Sequence, residues 1–90
     1  MEFKGTKGVW EIDERASRRV KCNDITIANC SQGQNGENEE EERANALLIS
    51  KAPEMLEFLM ELYDDKETHS CMFPSQQKKL KQLIKEATEL

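Results

Sequence analysis

Scarcity decides much about these ninety residues. No apolar run reaches the roughly 18 residues that a membrane-crossing helix requires, so no span is expected. The opening MEFKGTKGVW has no apolar core of the kind a secretory signal carries. Cysteine is limited to Cys22, Cys30 and Cys71, and His69 is the one histidine. An odd count without framework spacing reads as free thiols in a reducing cytosol. With no C-x2-C knuckle, a zinc site built from these cysteines and His69 is not expected. Neither is a Cys–His nucleophile, because nothing in the pattern orients the base or stabilises an oxyanion. Gly33 and Gly36 do not open a helix in the manner of a phosphate-binding loop. No carboxylate pair is spaced for acid/base work. The expectation is a protein that is not an enzyme and holds no cofactor or metal.

Apolar residues are also in short supply. The hydrophobic types make up 37% of the chain and there are four glycines, below the roughly 45–50% usual for that set. A chain of this length allows one domain with a small core. The shortfall points to a marginal monomer, an oligomer or a disordered segment.

Charge is plentiful and unevenly placed. The formal net charge is −5, and residues 37–67 hold eleven acidic side chains against three basic ones. Phosphate contacts need clustered Lys and Arg, so direct nucleic-acid binding is not expected. An acidic block can attract a basic partner, and more commonly it is a solvated face. Glu61, Asp64 and Asp65 gather where the central helix should end. They lack the ligand alternation and the glycine of a calcium loop and read as a solvated helix end.

The stretch from Glu39 to Leu62, EEEERANALLISKAPEMLEFLMEL, organises the chain. Four glutamates suit the positive end of a helix dipole. Positions 48, 52, 55, 59 and 62 step by four and three, and 45, 49, 52, 56, 59 and 63 run beside them, so a wide apolar stripe should face a core. Pro53 lacks an N–H and clashes with the carbonyl four residues back. A break or strong kink is therefore expected near Ser50 to Pro53. Met55 and Met60 read as packing residues.

Around this helix the chain alternates. Residues 1–8 form a frayed lead-in. Val9–Asp13, Arg18–Cys22 and Ile25–Cys30 read as short strands, with a turn at Glu14–Ser17 and another at Asn23-Asp24. Ser31–Asn38 has no apolar anchor and reads as a flexible linker. After a loop from Asp64 to Phe73, Ser75 is a candidate N-cap for a helix over 75–89, whose apolar face would be Leu80, Leu83, Ile84 and Ala87. The fold class is α+β: a three-stranded antiparallel meander (9–30), a linker (31–38), a helical segment broken or kinked near Pro53 (39–65) and a C-terminal helix. Trp10, Ile12, Val20, Ile25 and Ile27 should be covered by the central helix.

Ala44-Asn45-Ala46-Leu47-Leu48-Ile49, followed by Ala52-Pro53-Glu54-Met55-Leu56-Glu57-x-Leu59, resembles a segment of the form ANA-x-LI-x-x-APE-x-L-x-x-L. That segment occurs in small uncharacterised phage and prophage proteins, where a strand-rich region with an early Trp precedes it. Trp10 and Ile27-Ala28 fit that order, and the resemblance covers about residues 9–62. The chain departs at Leu47, where Arg is frequent, and adds the helix after Ser75. The resemblance implies a phage or integrated-element origin and a bacterial cytosol. It transfers no activity and no site residues.

A non-enzymatic accessory protein that binds a protein partner, or itself as a dimer, is the first functional expectation. Phe58, Leu62 and Leu83 are candidate interface residues. An acidic decoy for a basic host nucleic-acid-binding protein is the alternative. Asn45, Pro53 and Glu54 carry the helical motif. Asn45 shares a stripe with Ile49 and Leu56, and a mid-helix Asn on an inward face needs a compensating bond. Its amide should therefore bond the backbone of the incoming strand or the linker. Replacing Asn45 by Ala should lower stability by about 1–3 kcal/mol in denaturant titration. Unchanged stability would place the side chain in solvent.

Overall fold

A computed structural model of the chain describes residues 2–31 and 39–89. The expected linker therefore lies, beyond Ser31, outside the described residues. The elements are β1 (Glu11–Asp13), β2 (Ala16–Cys22), β3 (Ile25–Asn29), α1 (Glu39–Ser50), α2 (Ala52–Asp64), α3 (Lys66–Ser70) and α4 (Pro74–Thr88). This is the expected α+β class, with a meander, an interrupted central helix and a C-terminal helix. Contacts gather into two compact units, one of Thr6–Pro53 and one of Met1–Gly5 with Glu54–Leu90.

In the first unit the strands lie in the order β1-β2-β3, each pair antiparallel. Asp13 pairs with Ala16 across the turn at Glu14-Arg15, and the Asp13 carboxylate accepts the Arg15 N–H at 3.0 Å. Asn23 turns the second hairpin with φ 56°, a left-handed conformation that a short polar side chain tolerates. On β2, residues 18, 20 and 22 share a face. Val20 and Cys22 on that face are 0% and 1% exposed and are the buried hydrophobic residues of the sheet.

Ile25 departs from expectation, being 56% exposed. Val20 pairs with Ala28 and Lys21 with Thr26, so Ile27 is an extra residue in β3. This bulge breaks the strand alternation. Ala28 rather than an isoleucine stands opposite Val20, and Ile25 sits opposite Cys22 beside the turn. Trp10, Ile12 and Ile27 are half-buried.

The lead-in is fastened in its second part. Trp10 Nε1 donates to the Thr6 carbonyl at 3.0 Å, and Cys22 Sγ donates to the Lys7 carbonyl at 3.6 Å. Gly8 has φ +132°, and a Cβ there would lie 2.8 Å from Cys22 Sγ. Only glycine fits that approach. Val9 is 72% exposed, and β1 starts at Glu11.

α1 lies on this sheet with an unexpected face inward. Its buried residues are Glu42, Ala46 and Ser50, spaced by four. Ala46 presents only a methyl, which lets the helix approach the strands closely. Leu48, placed inward by the apolar periodicity, is 61% exposed, and Leu47 is 56% exposed. Asn45 and Ile49, from the second expected series, are half-buried. Ser50 Oγ donates to the Leu47 carbonyl at 2.6 Å, so this buried hydroxyl is satisfied.

Glu42 is fully buried and bonded to Arg18 of β2, Nη1 to Oε2 at 2.9 Å. Next to it, Arg43 donates to Ser17 Oγ at 3.1 Å and to Glu39 Oε1 at 2.6 Å. The acidic run is thus more than a solvated helix start: one of its four carboxylates is a tether to β2.

α1 ends at Ser50, and the Lys51 N–H bonds back to the Leu48 carbonyl at 3.1 Å. Pro53 is the second residue of α2, where its missing N–H costs no helical bond. The division between the two units falls here.

In the second unit, α2 has no fully buried residue, with Leu56, Leu59, Met60 and Tyr63 half-buried. The expected loop 64–73 contains the one-turn helix α3, because Asp65 caps it. α4 begins one residue earlier than expected. Pro74 occupies its first position, Phe73 is the capping residue, and Ser75 lies inside the helix. The Gln76 side chain accepts the Phe73 N–H at 3.2 Å, one half of a capping box. The buried residues of α4 are Leu80, Ile84 and Thr88. Leu83 is 46% exposed and Ala87 is exposed. The strict four-residue repeat, with the Thr88 hydroxyl bonded to the Ile84 carbonyl at 2.7 Å, sets the phase in place of the bulkier leucine.

Breaking a buried ion pair strands a charge at about 3–5 kcal/mol, and replacing both partners can be neutral. Arg18 keeps 37% of its side chain in solvent, so Arg18→Met should cost about 2–3 kcal/mol. Adding Glu42→Met to that variant should restore most of the loss. Urea titration of the four proteins of the cycle measures this. Additive losses would show the two groups to be uncoupled.

Candidate interaction surfaces

The thiols do not assemble. Cys22 is buried, Cys30 half-buried and Cys71 exposed, and all three are free. Among the described residues no three of His, Cys, Asp and Glu gather as metal ligands would. His69, within the stretch expected to be a loop, is a half-buried residue of α3 whose ring meets Tyr63 edge-on, with centroids 5.4 Å apart. Its carbonyl and that of Met72 both accept from Gln77 Nε2, at 2.6 and 3.1 Å. These bonds join the start of α4 to the turn before it.

Asp65 has a structural assignment. Its carboxylate accepts from the Glu67 and Thr68 N–H groups at 3.1 and 3.4 Å, and from the Thr68 hydroxyl at 3.0 Å. The Thr68 hydroxyl, then the Thr68 N–H, hold its pKa below the ordinary aspartate value. Of the acidic group Glu61, Asp64 and Asp65, this one caps a helix.

Asn45 lines an open cleft of about 350 Å³ with Asn29, Cys30, Ser31, Leu48 and Ile49. Helix α1 thus meets the end of β3 here. Asn29 Oδ1 accepts the Ser31 N–H at 3.1 Å, and the Cys30 N–H reaches the Arg18 carbonyl at 2.7 Å.

The surfaces with most apolar content are on the helices. On α2, Met55 and Phe58 are 47% and 59% exposed, and Leu62, half-buried, continues their line at i, i+3, i+7. Beside them Glu54, Glu57, Glu61 and Asp64, all exposed, form a parallel acidic stripe. On α1, Ala44 and Leu47 are exposed, as is Leu48 beside the cleft at the end of β3, with Glu40 and Glu41 towards one end and Lys51 just past the other, all exposed. Apolar counting assigned Leu48 to the core. The available signal was the set of residues 42, 46 and 50, whose central alanine suits a close helix–sheet contact.

Because Asp65 is held below its ordinary pKa, it contributes stability to α3 above the ordinary aspartate range. That contribution is lost as pH falls through the lowered value. An NMR titration should find the Asp65 carboxyl below the other aspartates, and Thr68→Val should move it up. An Asp65 pKa indifferent to Thr68→Val would remove the hydroxyl as the cause.

The family model for the Salmonella phage P22 protein Y8K6 matches residues 1–89. The match takes in α4, so the helix after Ser75 belongs to the family's chain and is no addition to it. No curated protein and no solved structure matches the chain. On the strength of a match over nearly its whole length, the chain belongs to the Salmonella phage P22 protein Y8K6 family.

Proposed function

We propose that this phage protein is a non-enzymatic accessory module that works in the cytosol of its bacterial host by binding protein, a second copy of itself included. One observation carries the reading. Among the described residues the large hydrophobics Val9, Ile25, Leu47, Leu48, Met55, Phe58, Phe73 and Leu83 are 46–72% exposed, whereas the buried hydrophobic set is Val20, Cys22, Ala46, Leu80 and Ile84. Exposed apolar surface in continuous helical stripes marks interaction sites. Phe58 and Leu83 supply such surface on α2 and α4, with Leu62 beside Phe58. No helix among the described residues is long and apolar enough to cross a membrane.

The acidic stripe on α2 favours a second reading, in which the partner is the basic surface of a host nucleic-acid-binding protein. The carboxylates of Glu54, Glu57, Glu61 and Asp64 would meet its lysines and arginines, while Phe58 and Met55 supply apolar contact.

Affinity capture from infected host cells separates these readings. The wild-type chain should retain a stoichiometric partner, whether a further copy or another protein, and Phe58→Glu should release a partner held on α2. Loss of that partner on raising salt from 50 to 500 mM would support the decoy, and salt-insensitive retention would exclude it. A chain that retains nothing and does not self-associate would refute protein binding altogether.

A further inference from the structure

We propose that the acidic face of α2 docks on the basic face of α4 of a second copy of this chain, with the two helices antiparallel. The inference rests on the protein-binding reading and names the partner and the two surfaces that meet.

Both helices belong to the second unit, and their charges are segregated. α2, APEMLEFLMELYD, has no Lys or Arg. α4, PSQQKKLKQLIKEAT, has four lysines and one acid, Glu86, which accepts a bond from Gln82 at 2.6 Å. Glu57, Glu61 and Asp64 of α2 are exposed, as are Lys78 and Lys81 of α4. Among the described residues none of these five side chains has a hydrogen bond or an ion pair. The carboxylates and ammonium groups of one unit thus do not meet within the chain.

Spacing matches the two sets to each other. Glu57, Glu61 and Asp64 follow at intervals of four and three, so they form one stripe along α2. Lys85, Lys81 and Lys78, read backwards along α4, have the same intervals. With the helices antiparallel, Asp64 comes level with Lys78, Glu61 with Lys81 and Glu57 with Lys85. Parallel helices would put the middle pair out of step by about 1.5 Å. Lys85 is shared with Glu89 of its own helix at 3.9 Å, so the match rests on Lys78 and Lys81.

The complement of α2 is therefore carried by every copy of the chain. Met55 and Phe58, 47% and 59% exposed, run beside the carboxylates. A lysine stem is apolar up to its ammonium group, so Lys78 and Lys81 can cover these side chains while reaching the acids. Like faces have no such fit: α2 on α2 would set carboxylates together, and α4 on α4 would set ammonium groups together. Each copy has both surfaces, and a reciprocal pair of contacts about a two-fold axis closes as a dimer. Exposed ion pairs contribute little one by one and are screened by salt. Association should accordingly be reversible, between micromolar and millimolar concentration, and weaker at high salt.

Sedimentation equilibrium on the full chain tests this by charge exchange. The wild type should rise above 10.4 kDa with concentration. One variant carries Glu61→Lys with Asp64→Lys, the other Lys78→Glu with Lys81→Glu. All four positions are exposed, so each variant should keep the circular dichroism spectrum. Where a double variant loses its helical signal, the single exchanges Glu61→Lys and Lys81→Glu take its place. Each variant alone should associate at least tenfold more weakly than the wild type, because its two faces then share a sign. An equimolar mixture should recover the association, since each variant supplies the face the other has lost. Both variants keep a negative net charge, so general attraction does not produce that recovery. Recovery in the mixture establishes the contact. A wild type that stays monomeric at millimolar concentration overturns the inference, and protein binding then stands only if capture finds another partner. Variants that associate as the wild type does, or a mixture without recovery, also overturn it and leave self-association through another surface.

Discussion

The contact between Glu42 and Arg18 decides how the first unit is put together. A carboxylate with no exposed surface is tolerable in a protein interior only when a cation and hydrogen bonds replace the water it has lost. The guanidinium of Arg18, on the inward face of β2, does this at 2.9 Å. The bond fixes where α1 begins on the sheet and how it is turned about its axis. With Glu42 inward, Ala46 and Ser50 follow at intervals of four. Leu47 and Leu48 are thereby carried to the outside. Turning α1 by roughly half a turn would bury both leucines, a gain of about 1.5–3 kcal/mol each, and would expel the ion pair. The orientation seen keeps the leucines accessible.

Much of the architecture was legible because it rests on local chemistry. Asn23-Asp24 turns the chain by side-chain tolerance of positive φ, and Pro53 separates two helices because it has no donor. β3 follows from the β-branched residues of ITIAN, whereas β2, ASRRVKC, has only Val20 of that kind. What was not legible depends on contacts between elements far apart in sequence. Helical periodicity weighs side chains by hydrophobicity, and on that scale Glu42 and Ser50 belong outside and Leu48 inside. The pairing of Glu42 with Arg18, twenty-four residues earlier, goes with the reversed assignment. Ile27 is similar: one inserted residue shifts the alternation of β3, and no local property of ITIAN signals it. In α4, Leu83 loses its place to Thr88, whose hydroxyl is satisfied within its own helix at 2.7 Å. His69 and Asp65 were read as parts of an unstructured loop. Asp65-Lys66-Glu67-Thr68 holds a helix-capping pattern, an Asp with a Thr three residues on.

The candidate surfaces have a sequence signature in part. Phe58, Leu62 and Leu83 stood out by type and spacing, and the first and last of these are exposed. The inward set of α1, Glu42, Ala46 and Ser50, was passed over because hydrophobicity alone ranks Leu48 above all three. Asn45 sits where α1 meets the end of β3, Pro53 opens α2, and Glu54 heads its acidic stripe.

The two apolar faces differ in the charge beside them, and this sets their chemistry apart. Along α1, Glu40 and Glu41 precede the exposed leucines and Lys51 follows them. Along α2, one sign runs the full length of the patch and is complementary only to something else. Rim charges contribute little to affinity, since exposed pairs are worth about 0–1 kcal/mol each. They act on the choice of partner, because a like-charge juxtaposition is penalised where an opposite one is merely tolerated. Two leucines or a phenylalanine and a methionine would bind any apolar groove of the right width. The neighbouring charges bias which grooves are admitted, and along α2 the bias is against acidic ones.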